Sequence, residues 1–80
     1  MKVRPEDLEE AIKGCVRNNK IEDAIILILF KYRNSRCRDE EILAALNKYL
    51  KMCGKLLFNM EDFLISKKLL IQRGLINYYE

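Results

Sequence analysis

The chain has 80 residues, half of them apolar, and 15 Lys and Arg against 12 Asp and Glu give a net charge of +3. That length makes one small domain, residues 1–80, with apolar content high enough to expect a self-associating surface. There is no histidine, which removes the usual general base near neutral pH and the partner that a catalytic cysteine or a mixed Cys/His zinc site needs.

Four times along the chain acids precede bases. Glu6, Asp7, Glu9 and Glu10 come before Lys13 and Arg17, and Glu22 and Asp23 before Lys31 and Arg33. Asp39, Glu40 and Glu41 come before Lys48, Lys51 and Lys55, and Glu61 and Asp62 before Lys67, Lys68 and Arg73. A helix carries partial positive charge at its start and partial negative charge at its end, so the pattern predicts four helices.

The first helix is expected over residues 5–17. Pro5 suits a first turn, and Leu8, Ala11, Ile12, Cys15 and Val16 fall at i, i+3, i+4, i+7, i+8. Asn18 and Asn19 form the turn that ends it. The second helix is expected over residues 21–33. Ile21, Ala24, Ile25, Ile28, Leu29 and Tyr32 make one stripe, and Ile26, Leu27 and Phe30 add apolar residues on the other side. A helix apolar nearly all round belongs at the centre of the domain or partly against another subunit. After a loop at residues 34–38, the third helix is expected over residues 39–52. Ile42, Leu43, Ala45, Leu46, Tyr49, Leu50 and Cys53 face inward, and Gly54 takes the left-handed position past the end.

The fourth helix carries the best start signal. Asn59 is an N-cap with Asp62 three residues on, and Phe58 can staple onto Phe63. The helix should end near Arg73, with Gly74 as its cap, and residues 75–79 read as a short strand. On a helical wheel Phe63, Leu69 and Leu70 point one way and Leu64, Ile65 and Ile71 another. One helix then touches two things, the domain core and either the first helix, a second subunit or a different protein.

Chemistry that needs a dedicated site finds little here. Cys15, Cys37 and Cys53 form no C-x-x-C pair and read as reduced thiols. The acid clusters sit where helix starts want them, and no glycine-rich phosphate loop is present. No catalytic residue, metal, cofactor or small-molecule substrate is therefore expected. The longest apolar run, residues 24–30, is short of the ~20 that a membrane span needs, and the first residues lack a signal-peptide core. The expectation is a cytoplasmic, non-membrane protein. One group exceeds what helix ends require: Lys31, Arg33, Arg36 and Arg38 place four bases within eight residues with no acid among them. Such a cluster can contact phosphate oxygens; the alternative is a helix end followed by a solvated loop.

Over about residues 21–80 the chain resembles the winged helix-turn-helix family of transcription regulators. The likeness starts in the apolar helix of Ala24, Ile25, Ile26, Leu27, Ile28 and Leu29. It continues in the helix opened by Asp39, Glu40, Glu41 and Ile42. It ends in Leu69, Leu70, Ile71, Gln72, Arg73, Gly74, Leu75 and Ile76, which looks like the family's passage from recognition helix to wing. The resemblance implies that Phe63 and Leu70 are buried recognition-helix positions, while Lys67 departs from the family's apolar residue there. It also implies that Glu61, Leu64, Ile65 and Lys68 lie on the side facing a DNA major groove, where only Lys68 suits phosphate or base contact. A strand at residues 76–79 would pair with residues 35–37.

The expected architecture is thus mainly α, four helices with a short C-terminal strand, winged-helix-like over residues 20–80 with an N-terminal helix added over 1–19. The alternative is a four-helix bundle without a wing. The expected function is a small DNA-binding transcription regulator acting as a homodimer on duplex DNA, through Arg33, Arg36, Arg38, Lys55 and Lys68. The alternative is a non-catalytic protein-interaction module of the same fold. In both, Leu64, Ile65 and Ile71 form the protein interface.

Overall fold

A computed structural model describes residues 4–33 and 36–75. They form four helices, α1 (Pro5–Arg17), α2 (Ile21–Lys31), α3 (Asp39–Met52) and α4 (Met60–Gln72). Each opens on the acids that the charge pattern singled out: Glu6 and Asp7, Glu22 and Asp23, Asp39 to Glu41, and Glu61 and Asp62. Bases close the last turns of α1, α2 and α3, but none lies in the last turn of α4. Its lysines sit in mid-helix, Lys67 buried and paired with Asp39 and Lys68 exposed.

Three helices end in the same way. The amide of Lys20 reaches back to the Cys15 carbonyl at 2.8 Å, that of Lys55 to Leu50 at 2.8 Å, and that of Leu75 to Leu70 at 3.0 Å. The residue before each of these, Asn19, Gly54 or Gly74, has positive φ. This is the six-to-one closure in which one left-handed residue satisfies the orphan carbonyls of the last turn. Glycine, and less readily asparagine, adopts that conformation cheaply. The α1 closure uses only Asn18, Asn19 and Lys20, so α1 and α2 run back to back as a hairpin.

α2 is the centre of the fold and packs on α1, α3 and α4. Ala24, Ile25 and Ile28 are fully buried there, against Ile12 and Val16 of α1, Leu46 and Leu50 of α3, and Phe63 and Leu70 of α4. The expected second apolar side of α2 is only partly covered, with Ile26 and Leu27 half-buried and Phe30 exposed. Ala11 of the predicted α1 stripe also faces solvent. Lys31 ties three helices together at the end of α2. Its ammonium donates to Tyr49 Oη at 3.2 Å and pairs with Glu9 at 3.3 Å. Burial alone would lower the Lys31 pKa, but the Tyr49 hydroxyl, the Glu9 carboxylate and Tyr32 outweigh it and raise the value above the ordinary 10.5.

Two expectations change. α2 stops at Lys31 rather than Arg33, because the Arg33 guanidinium folds back onto the Phe30 carbonyl at 2.8 Å and caps the helix. Among the described residues there is no strand: Leu75, where the short C-terminal strand was to begin, sits in a bend. The rest of that strand, residues 76–79, and Ser35 of its expected partner fall outside the described residues; Arg36 and Cys37 of that partner are described and carry no strand.

Candidate interaction surface

α4 is placed by its first turn and by the loop before it. Asn59 accepts the Asp62 amide at 2.7 Å, as an N-cap should. Asn47 of α3 grips the loop from the other side: its side chain donates to the Phe58 carbonyl at 2.9 Å and accepts the Phe58 amide at 2.8 Å. Phe58 is half-buried at the edge of the core. The inward side of α4 consists of Phe63, Lys67 and Leu70. Lys67 is the departure noted in the sequence. It is buried and bonds the Asp39 carboxylate at 2.5 Å, which joins the middle of α4 to the first turn of α3. A charge in such a place is tolerated when an opposite charge meets it.

The outward side of α4 is apolar in the middle. Leu64 is 44% and Ile65 53% exposed, and Leu69 and Ile71 each 38%. Leu69 therefore joins the exposed set rather than the core side expected for it. At about 100° per residue it stands roughly 120° from Phe63, beyond the reach of the core stripe. Leu64, Lys68 and Ile71 line a shallow hollow with Asp39, Lys67 and Gln72. On the opposite flank Ile65 lines another with Leu56, Leu57, Phe58, Asp62 and Ser66. Leu56 is 91% exposed and Leu57 56%. Scattered exposed leucines are ordinary, but these run together over one helix and its leading loop as one exposed apolar surface. Periodicity does not reveal Leu56 and Leu57, since they lie in a loop. The signal that finds them is two adjacent large apolar residues between a helix-ending glycine and the next N-cap.

The residues expected to contact DNA are not gathered in one place. Arg38 immediately precedes Asp39 and so stands beside the hollow that Lys68 lines; both are exposed, as is Arg36. Lys55 lies past the far end of α3, about 20 Å away at 1.5 Å per residue, and bonds Asn19 Oδ1 at 3.0 Å. Arg33 is engaged with Phe30, stacking 4.0 Å from the ring centroid besides capping the helix. At the start of the outward side, Glu61 is exposed.

Other chemistry is sparse. Among the described residues no group of three or more Cys, Asp or Glu side chains is placed to hold a metal. No helix there is long and apolar enough to cross a membrane. Cys15, Cys37 and Cys53 are free thiols. Partial burial, then the Glu41 carboxylate, pushes the Cys37 pKa above its ordinary 9.0, which favours the protonated, less nucleophilic thiol. No protein-family model, curated protein or solved structure matches this chain.

Proposed function

We propose that this protein is a non-catalytic protein-interaction module that works as a homodimer, with α2, α3 and α4 as a winged-helix-like core and α1 added to it. The carrying observation is the outward side of α4, where Leu64 and Ile65 are exposed while Phe63, Lys67 and Leu70 fill the core. Leu56 and Leu57 extend that apolar surface into the preceding loop. In a DNA-reading helix this side carries groups that hydrogen-bond base edges or phosphates. Leucine and isoleucine do neither, and Glu61 repels phosphate. Exposed apolar side chains gain free energy by leaving water, which favours a protein partner.

The test is the double substitution Leu64→Ser and Ile65→Ser. Both positions are exposed, so helicity should persist in far-ultraviolet circular dichroism. The mass in solution should fall from that of an oligomer to that of one chain. An unchanged mass would remove the main support for the reading.

A second reading, a homodimeric DNA-binding regulator, is favoured by the exposure of Arg36, Arg38 and Lys68, the last two at one end of α3. It predicts duplex affinity that falls steeply as salt rises. Absence of binding at low salt would eliminate it.

A further inference from the structure

We infer that the occupant of the α4 face is a second copy of this chain, laid antiparallel across a two-fold axis between Leu64 and Ile65, so that Glu61 of each copy meets the partner's Lys68. This rests on the reading of α4 as an interaction surface and adds the identity and register of what covers it.

The argument is charge complementarity along one helix side. Residues three and four apart lie on the same face, so Glu61, Leu64, Ile65 and Lys68 form a continuous outward strip. Its order is acid, two apolar residues, base. Glu61 and Lys68 are both exposed, and among the described residues neither enters an ion pair. They stand two turns apart, about 10 Å along the axis, too far to pair with each other. The strip is therefore complementary to its own reverse. A two-fold interface uses the same patch on both copies. Laid antiparallel, with position 64 opposite position 65, it sets Leu64 and Ile65 of both copies together at the axis. Glu61 then faces the partner's Lys68 on one side and Lys68 faces the partner's Glu61 on the other.

Other registers fail on charge. A parallel pairing sets Glu61 against Glu61 and Lys68 against Lys68. An antiparallel pairing centred on Lys68 places the two ammonium groups face to face at the axis. The favoured register also carries the Ile71 end of one α4 toward the loop before the other.

The test uses charge reversal at low salt, where exposed ion pairs are least screened. Glu61→Lys alone and Lys68→Glu alone each create two like-charge pairs and should weaken self-association about tenfold or more. An equimolar mixture of the two variants should recover it. One chain then carries Lys at both positions and the other Glu at both, so that both pairs attract. Sedimentation velocity on each variant and on the mixture reads this directly. Recovery of dimer only on mixing is the result expected. Single variants that dimerise like the wild type, while the Leu64→Ser/Ile65→Ser protein does not, would overturn the register and leave the apolar face as the interface. Single variants that lose the dimer without recovery on mixing also overturn it. A wild-type chain that is monomeric throughout overturns both this inference and the homodimer reading beneath it.

Discussion

Asn47 is a half-buried residue of α3 with a large expected effect, because its side chain bonds both backbone groups of Phe58 in the loop that presents Leu56, Leu57 and the start of α4. Asn47→Ala removes both of its bonds to Phe58, at 2.9 and 2.8 Å. The Phe58 amide and carbonyl then lose their side-chain partners at a partly buried position. A buried polar group left unsatisfied costs about 1–3 kcal/mol, and partial access to water places each of these near the lower figure. Against this, Ala is the better helix former by about 0.5 kcal/mol. The net loss is about 1.5 kcal/mol, a substantial part of the roughly 4–12 kcal/mol that holds a domain of this size. Thermal unfolding by circular dichroism, at one fixed protein concentration because association shifts the midpoint, should show Tm lower by about 6–12 °C. Lys48→Ala, at the exposed neighbouring position, should leave stability within about 0.5 kcal/mol. An Asn47→Ala midpoint within about 2 °C of wild type would refute the clamp. It would mean that the loop is held by the packing of Phe58 alone.

Two further predictions follow from the ionisable groups. The Lys31 pKa is raised in the folded chain, so its charged form stabilises the fold below 10.5, and that contribution is lost as pH rises through the folded value. The stability gap between wild type and Lys31→Met should therefore hold constant through neutral pH and narrow only above about 10.5; narrowing near neutrality would contradict the assignment. Glu41 helps to keep the Cys37 thiol protonated. Glu41→Gln should speed alkylation of Cys37 at mildly alkaline pH, read by peptide mass spectrometry, with Cys15 and Cys53 as internal references. An unchanged Cys37 rate would mean that burial alone sets its pKa.

What could be read from the sequence was local. Pro5, the acid clusters, Asn19, Gly54, Asn59 and Gly74 each act within one turn of their own position. The bounds of α1 and α3 and the start of α4 followed from them. Long side chains were harder, since their partners depend on the assembled fold. Arg33 reads as a phosphate-binding base, yet it caps α2 and stacks on Phe30. Asp39 reads as a helix-start acid, yet it also meets Lys67 across 28 positions. Asn47 reads as an ordinary polar residue of α3, and nothing in its neighbours shows that it grips the loop. The outward side of α4 was visible as a second apolar direction at Leu64, Ile65 and Ile71. Its extension through Leu56 and Leu57 was not, because a loop has no period to betray a face.

The account depends on α4 turning one side inward while its other side meets a second molecule. Sedimentation equilibrium of the wild-type chain, from dilute to concentrated protein, tests this most directly. The account predicts a species of twice the 9.5 kDa of one chain, dissociating on dilution. A single 9.5 kDa species at every concentration would contradict it.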